Sequence, residues 1–276
     1  MLSRIATLGA AAAIFTGPAS LLAQGPTGQN DLSARTRTAV DSVDVSDDAV
    51  PVPVHTYSFK SRSDSLSWAR HKAVAARAKG FHLVVSLQDR HIWAITDDDT
   101  LLSAPAAVAS GKTLEFGSQE WTFDMPRGIR HVLGKEADPI WQPPEWLYAE
   151  TAKENGLKLA HLYNGHPIKL DDGRILTMKD GEAGLIEDGQ FAALPRDEHI
   201  VFGSTLYVPP MGSKNRRVHG ELGKYRLMLG EGFLMHGTPD KDSIGLAATH
   251  GCVRLRDDDI QWLYENVPVG TPVYIY

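Results

Sequence analysis

The stretch THGCVR at residues 249–254 contains the single cysteine of this 276-residue chain, Cys252. Cys252 therefore has no partner within the chain for a disulfide bond. A second histidine-containing stretch, HGT, lies upstream at residues 236–238. A cysteine attacks carbonyl groups as its thiolate, and it needs a base or a positive charge nearby to reach that form. A lone cysteine with histidines close by in the sequence therefore favours a reactive thiol.

The residue types around Cys252 suit acyl transfer. Side chains two residues apart in an extended segment point the same way, so His250, Cys252 and Arg254 are expected to line one cleft. His236 and His250 are both candidate bases. Gly251 lets the backbone approach a substrate closely, and the amides around Gly251 and Cys252 can hold the oxyanion of a tetrahedral intermediate. Arg254 can bind a carboxylate.

Two other interpretations of this cysteine remain open at the level of the residues. A free cysteine is often a small buried apolar side chain with no chemical role. His236, His250 and Cys252 are also zinc-ligand types, although neither spacing matches a common zinc signature. We rank the nucleophilic cysteine first among the three interpretations.

The N-terminal residues 1–23 resemble a secretory signal peptide. Arg4 gives a positive start, residues 5–15 are apolar, and small residues up to Ala23 offer a cleavage site. The apolar stretch is shorter than the roughly 20 residues that span a bilayer. A buried N-terminal helix is the alternative. We expect an exported protein of the periplasm or cell envelope, with no transmembrane segment after cleavage, and a flexible linker over residues 24–63.

The overall composition is that of an ordinary soluble globular protein, with 42% hydrophobic and 22% charged residues. The formal net charge of −6 gives no basic surface of the kind that nucleic acids need. We therefore expect no nucleic-acid partner.

The central part of the chain changes from a helical to a strand pattern. Residues 64–79 are predicted to form a helix that leads into the domain, capped by Asp64 and with Leu66 on its apolar face. Residues 81–87 alternate between apolar and polar, which predicts a half-buried strand. Strands over 91–96 and 101–110 complete a predicted β-meander.

Residues 135–200 predict a hairpin-rich insertion. Prolines precede and a glycine follows a predicted helix over residues 145–155, and tight turns are expected at residues 171–173 and 179–181. Three aromatic residues of this region are either core residues or the lining of a substrate groove, namely Trp141, Trp146 and Tyr148. The segment 211–217 is a further candidate for the groove.

The last part of the chain predicts a hairpin, a helix and a closing strand. Residues 225–229 and 233–235 flank the turn GEG and lead to His236. Acidic residues open a helix at Asp257, where they favour the helix dipole, and residues 273–276 form the strand. The sum is a mainly β domain with a few helices, from about residue 80 to residue 276.

The HGT and THGCVR stretches together resemble the signature of the L,D-transpeptidase catalytic domain. That signature is a histidine, a loop, then Ser/Thr-His-Gly-Cys and, two residues later, Arg or Asn. The stretches LGKY at residues 222–225 and VGTPV at residues 269–273 extend the resemblance, which covers about residues 81–276. The loop between the two stretches is a little shorter than in many members, and residues 135–200 are larger than in a minimal domain.

The resemblance implies a β-sandwich-like fold and a function. By analogy, Cys252 forms a thioester with the third residue of a peptidoglycan tetrapeptide stem and releases D-alanine. An amine of another stem then takes the acyl group in a 3→3 cross-link. His236 matches the general base, Gly237 the carbonyl that orients it, and His250 the histidine that lines the site.

The resemblance also implies the partners of the domain. Arg254, Gly251 and Thr249 are expected to contact the substrate, and we expect no metal or organic cofactor. Peptidoglycan stem peptides and carbapenem-type inhibitors are the expected ligands.

Several alternatives to this function can be named. The same acyl-enzyme can pass its acyl group to water, as an L,D-carboxypeptidase, or to a protein amine. An inactive peptidoglycan-binding module is the alternative from another class, but such a module would be expected to lose Cys252 or His236. Sortases place the histidine much further upstream, and papain-like peptidases place the cysteine before the histidine.

Overall fold

The computed structural model describes residues 57–97 and 99–276, as one compact body from Ser58 onward. The predicted signal peptide and residues 24–56 of the predicted linker lie outside the described residues. Within the described residues, no helix is long and apolar enough to cross a membrane. Three α-helices occur in this part of the chain: α1 (Arg62–Ala75), α2 (Glu145–Glu154) and α3 (Asp257–Asn266).

Strands make up most of the regular structure. The first half of the described residues contains β1 (Phe81–Ser86), β2 (His91–Thr96), β3 (Asp99–Pro105), β4 (Val108–Ala109), β5 (Thr113–Phe116), β6 (Gln119–Thr122), β7 (Gly128–His131), β8 (Gly134–Ala137), β9 (Ile140–Trp141) and β10 (Lys158–His161). The second half contains β11 (Ile168–Lys169), β12 (Ile175–Lys179), β13 (Glu182–Glu187), β14 (Gln190–Ala193), β15 (Ile200–Phe202), β16 (Thr205–Val208), β17 (Val218–His219), β18 (Tyr225–Met228), β19 (Leu234–His236), β20 (Ala247–Thr249), β21 (Val253–Arg254) and β22 (Pro272–Ile275).

Two sheets enclose the main hydrophobic core. One has the strand order β3-β2-β1-β22-β7, and the other has the order β21-β19-β18-β8. Both sheets and α3 contribute fully buried residues to one cluster, among them Leu83, Val273, Leu227, Met235 and Leu263. The mainly β, sandwich-like fold that the sequence predicted is confirmed, as is the meander of β1, β2 and β3. The third strand, predicted over residues 101–110, ends at Pro105, and β4 pairs with β20 instead.

Strand β1 is buried on both faces, which corrects the half-buried strand predicted from its alternating pattern. Leu83 and Val85 face the main core, whereas Val84 packs in a second cluster with Ala75 and Tyr276. The second face is covered because α1 packs against it. A single-strand pattern cannot reveal a covering helix that arrives from elsewhere in the chain.

Helix α1 begins earlier and ends earlier than the predicted range of 64–79. Its N-cap is Ser61, whose Oγ accepts a hydrogen bond from the Asp64 N–H at 3.1 Å. The Asp64 carboxylate instead pairs with Arg127. Leu66 is 56% exposed, and Trp68 and Ala75 supply the helix's contacts with the cluster around Val84. The predicted cap and apolar face of this helix were therefore wrong.

The region between α2 and β17 contains a separate set of sheets. Strands β11 to β14 form a four-stranded antiparallel meander with its own hydrophobic cluster. The predicted turns fall between its strands, where Asp180 and Gly181 both adopt positive φ. The helix predicted over 145–155 is α2, followed by Gly156 at φ +63°. The predicted hairpin-rich insertion is thus present.

The hairpin of β18 and β19 carries His236 into the second sheet. Leu227 lies level with Met235 in this antiparallel pair, as the sequence predicted. Strand β21 follows on the other side of β19, so the end of the hairpin and the residues around Cys252 are adjacent in the sheet. Helix α3 and β22 also occur where the sequence placed a helix and a closing strand.

Candidate active site

The turn that carries Cys252 is held by the side chain of Thr249. Strand β20 ends at Thr249, and β21 begins directly after Cys252. The fully buried Thr249 hydroxyl donates to the Cys252 carbonyl at 2.6 Å and accepts from the Gly251 N–H at 3.3 Å. Gly251 has a φ of +124°, which side chains rarely adopt. These contacts explain why a threonine and a glycine stand at these two positions.

Strand register brings Cys252 and His236 to the same face. Strands β19 and β21 are parallel, with Met235 level with Val253 and His236 level with Arg254. Met235 and Val253 are fully buried in the core. Because side chains alternate along a strand, His236, Arg254 and Cys252 share the opposite face. Cys252 directly precedes β21, two residues before Arg254, so it lies diagonally across from His236.

The His236 ring is fixed in one tautomer. Its side chain is 4% exposed, and its Nδ1 lies 2.6 Å from the carbonyl oxygen of Gly237. A carbonyl oxygen only accepts hydrogen bonds, so Nδ1 carries the hydrogen. The Nε2 atom of the neutral ring therefore keeps its lone pair and is available as a base.

Burial disfavours the charged forms of both groups. Desolvation lowers the pKa of His236 to about 4, although the hydrogen bond to Gly237 opposes this shift. Cys252 keeps some solvent exposure, yet desolvation raises the pKa of its thiol against smaller opposing effects of the Leu234 backbone and Arg254. At neutral pH the resting pair is accordingly a thiol and a neutral imidazole.

The predicted anchor Arg254 already has an acidic partner. Its Nη1 lies 3.5 Å from Asp240 Oδ2, and its side chain is 20% exposed. Its backbone exchanges two hydrogen bonds of 2.9 Å with Ala107. Arg254 is thus fixed at the same face as His236, and a substrate carboxylate would have to share or displace Asp240.

The motif histidine His250 contacts helix α2. Its Nε2 lies 3.2 Å from the Glu150 carboxylate. Its ring stacks on Trp146 with 4.0 Å between centroids and 10° between planes. Phe123 meets the same ring edge-on at 4.3 Å. His250 is therefore held from outside its own loop, by an element of the insertion.

The backbone of Gly237 is in close contact with the backbone of Gly223, which leaves no room for a side chain on Gly223. A Cβ atom built on Gly223 would lie 2.7 Å from Gly237 Cα, and one built on Gly237 would lie 3.2 Å from Gly223 Cα. The Gly237 N–H also donates to the Tyr225 carbonyl at 3.2 Å. The carbonyl that orients His236 is thus fixed by backbone packing.

The zinc interpretation finds no support in the described side chains. Among residues 57–97 and 99–276, no group of three or more His, Cys, Asp or Glu residues is arranged to hold a metal ion. His236 bonds to Gly237 and His250 to Glu150, so the two histidines point to different partners.

The segment 211–217 lies beside a different cavity. A cavity of about 890 Å³ is lined by Lys214, Asn215 and Arg217 from this segment and by Leu147 and Tyr148 from α2. Cys252 is not among its lining residues. Three residues of the segment therefore line a cavity to which Cys252 does not contribute.

The three aromatic residues of uncertain role divide between the two interpretations. Tyr148 is buried and packs in a cluster with α2 and β16, so it is a core residue. Trp146 is half-buried and contacts His250, so it belongs to the candidate site. Trp141 is half-buried on β9, with its ring centroid 6.5 Å from that of Trp146.

Sequence reasoning missed three side chains at the site: Phe123, Glu150 and Asp240. Glu150 lies four residues after Trp146 on a helix that the sequence predicted, and this spacing puts the two on one face of the helix. No sequence signal linked that face to His250, since the contact spans about a hundred residues.

The family of the chain follows from its sequence match. Residues 80–275 match the model of the L,D-transpeptidase catalytic domain, the YkuD family. This match covers more than half of the chain, and the chain belongs to that family. The resemblance inferred from the HGT and THGCVR stretches is thereby confirmed.

Two curated relatives illustrate the similarity. The chain is 41% identical over 167 residues to the probable L,D-transpeptidase ErfK/SrfK of Salmonella typhimurium, across 54% of this chain and 52% of that protein. It is 47% identical over 66 residues to the probable L,D-transpeptidase YbiS of Escherichia coli K12, across 24% of this chain and 20% of that protein. The matched part spans about half or less of these relatives.

Solved structures resemble the chain more distantly. An L,D-transpeptidase from Xylanimonas cellulosilytica is 15% identical with a TM-score of 0.38, covering 75% of this chain and 69% of that one. The catalytic domain of an Enterococcus faecium L,D-transpeptidase, acylated by ertapenem, is 14% identical with a TM-score of 0.36, covering 72% of this chain and 99% of that one. Family membership rests on the sequence match.

Proposed function

We propose that this chain is an exported peptidoglycan L,D-transpeptidase in which Cys252 is the nucleophile and His236 the general base. The observation that carries the proposal is the 2.6 Å contact between His236 Nδ1 and the Gly237 carbonyl oxygen. It leaves Nε2 as the acceptor of the neutral ring, on the face of β19 that lies diagonally across from Cys252. A buried acceptor of this kind takes up the thiol proton only when the thiol attacks. Membership of the L,D-transpeptidase family supplies the substrate class.

The first half-reaction acylates the enzyme. Cys252 Sγ attacks the carbonyl carbon of the third stem residue while His236 Nε2 takes the thiol proton. The tetrahedral intermediate collapses, the bond to the terminal D-alanine breaks, and His236 returns the proton to the leaving amine. The products are a thioester and free D-alanine.

One backbone amide is best suited to the oxyanion. The Gly251 N–H is already engaged with Thr249 Oγ1 at 3.3 Å. The Cys252 N–H then stabilises the charge that develops on the carbonyl oxygen. In this assignment Thr249 and Gly251 shape the turn, while Arg254 and Asp240 together bind the polar part of the donor stem.

The second half-reaction releases the acyl group. An amine of another stem attacks the thioester, His236 accepts its proton, and the thiol is restored as the cross-link forms. Water in place of the amine gives L,D-carboxypeptidase activity, and a protein amine gives attachment of that protein to peptidoglycan. The acyl-enzyme is common to all three outcomes.

The first prediction concerns the nucleophile. Cys252→Ala should lower turnover of tetrapeptide stems by at least about 10⁴-fold, because the atom that forms the thioester is missing. A carbapenem should add its full mass to the wild-type protein, since opening the lactam ring expels no leaving group. Intact-protein mass spectrometry measures the adduct.

The matched variant is Cys252→Ser, which replaces the thiol by a slightly smaller hydroxyl in the same turn. Both variants should retain the thermal midpoint of the wild type within a few degrees and remain free of the adduct. An adduct on Cys252→Ala, or cross-linking by that variant, would overturn the assignment of the nucleophile. A wild-type protein that binds stems but never forms an adduct would indicate the inactive binding module.

Products from defined muropeptides distinguish the acceptors. Incubation with a tetrapeptide monomer should give dimers linked between two third residues, detected by mass and fragmentation. Tripeptide alone would instead indicate the carboxypeptidase.

A further inference from the structure

His250 is held by side chains from two elements outside its loop. Glu150 and Trp146 both come from α2, and Phe123 follows β6. The carboxylate engages Nε2, the indole covers a face of the ring, and the phenyl ring meets it edge-on. We call Glu150, Trp146 and Phe123 the His250 clamp.

Helix α2 is rigid enough to act as such a support. Glu150 and Trp146 lie four residues apart, so they project from the same face of the helix. The next face carries Tyr148, Ala149 and Ala152, all of which are buried. The clamp is therefore built on an element that is packed into the protein and not on a free loop.

Because Gly251 has a flexible backbone, the His250 clamp affects the position of the turn that carries Cys252. Glycine restricts its own backbone less than any other residue, so the position of Cys252 depends on what holds the two sides of Gly251. On one side the Thr249 hydroxyl bonds to the turn. His250 directly precedes the glycine, and its own anchorage is the clamp.

We propose that Glu150 is a positioning residue: through its hydrogen bond to His250, and with Trp146 behind the ring, it fixes the turn so that the Cys252 thiol and N–H meet the substrate carbonyl together. The inference rests on the proposed function and extends it, because it makes the insertion helix α2 part of the catalytic machinery. A small displacement of such a turn costs the acylation step up to about 100-fold.

The test compares two reagents for the same sulfur. Acylation by a carbapenem needs the thiol and the oxyanion donor in register, whereas alkylation by iodoacetamide needs only the thiol and its base. Glu150→Ala should lower the acylation rate constant by about 10- to 100-fold and leave the alkylation rate within about twofold of wild type. On tetrapeptide stems, kcat should fall and KM should stay nearly constant.

Conservative and distant variants complete the experiment. Glu150→Gln keeps an acceptor for the His250 N–H, so it should recover most of the acylation rate. Glu154→Ala, at the exposed end of the same helix, is the matched control and should behave as wild type. Trp146→Leu tests the stacked face and should lower acylation in the same direction as Glu150→Ala.

Three outcomes would overturn the proposal. These are wild-type acylation in Glu150→Ala, equal losses in Glu150→Gln and Glu150→Ala, or a parallel loss of alkylation that indicates general disruption. Each leaves the nucleophile assignment intact, since Cys252 would still be the acylated residue. Failure of the wild-type protein to be acylated would contradict the proposed function itself.

Discussion

His236 stays neutral inside the protein at a pH where a free histidine is charged. Burial lowers its pKa to about 4, whereas the unfolded chain binds the proton near pH 6.5. Between pH 4 and pH 6.5, His236 is protonated in the unfolded state and neutral in the folded state. The contribution of this residue to stability is therefore full above pH 6.5 and is lost as the pH falls towards 4.

This difference gives a prediction for acid stability. The shift corresponds to about 3 kcal/mol of unfolding free energy at pH 4 relative to pH 7. His236→Gln lacks the titrating group, so its unfolding free energy should fall less between pH 7 and pH 4.5 than that of the wild type. Urea denaturation at several pH values measures both slopes.

The exposed His131 provides the matched control for that experiment. His131→Gln should follow the wild-type pH dependence closely, because no buried imidazole is removed. If the wild type and His236→Gln lose stability in parallel, the neutral buried imidazole is not the source of the effect.

At this scale the sequence predicted the motif residues better than their surroundings. His236 and Cys252 could be selected because their residue types and spacing carry chemistry, and Gly237 because the family resemblance implied its role. Strand register places His236 level with Arg254, two residues after Cys252. Glu150 and Asp240 could not be selected, since a single exposed-looking acid carries no such pattern. Their roles depend on contacts that only the folded chain forms.

Among the elements, the loop before β18 and the end of β19 are in close backbone contact through Gly223 and Gly237. Gly223 has a φ of +64° and no room for a Cβ atom, which would lie 2.7 Å from Gly237 Cα. The left-handed backbone alone costs an alanine about 1–2 kcal/mol, and the clash with backbone adds to it. An alanine at position 223 would therefore displace Gly237, whose carbonyl orients the His236 ring.

Gly223→Ala is therefore predicted to destabilise the fold by about 3 kcal/mol or more. It should also slow carbapenem acylation, because the Gly237 carbonyl moves. Gly220→Ala is the matched control: its φ is +81°, but nothing lies within 4 Å of the added Cβ. That variant should lose only the backbone cost of about 1–2 kcal/mol and keep its acylation rate. Equal losses in the two variants would contradict the close-contact argument.

The sequence did not predict where each element ends or which of its faces is buried by other elements. The order of strands and helices was predicted because apolar periodicity and turn residues are local signals. The sequence did not predict that both faces of β1 are buried, or that α1 packs through Trp68 and leaves Leu66 exposed. Both features depend on how α1 packs against the sheet. Local patterns describe an element, and tertiary packing decides which of its faces is covered.

Across the whole molecule, one buried amide ties the β11–β14 meander to the rest of the chain. Asn215 Oδ1 accepts from the Ala183 N–H at 2.7 Å, and its Nδ2 donates to the carbonyls of Pro195 at 3.1 Å and Leu194 at 3.4 Å. The residue is 6% exposed. The three bonds join β13 and the end of β14 to the short helical turn at Lys214–Arg216.

Asn215→Ala should lower the unfolding free energy by about 2 to 4 kcal/mol, because buried backbone groups lose their partners. Asn266→Ala is the matched control, since that side chain makes an exposed bond to the Trp262 carbonyl. Urea denaturation should give a markedly lower midpoint for the first variant and little change for the second. A small effect of Asn215→Ala would mean that water or a neighbouring side chain replaces the lost bonds.

Strand β22 has a consequence for the order in which the chain can fold. It lies between β1 and β7, with Leu83 level with Val273, so the middle of the five-stranded sheet joins distant parts of the sequence. A nascent chain that has emerged only as far as α3 holds β1 without its parallel neighbour. Pairing at the centre of this sheet therefore waits until the segment after α3 is available to insert between β1 and β7.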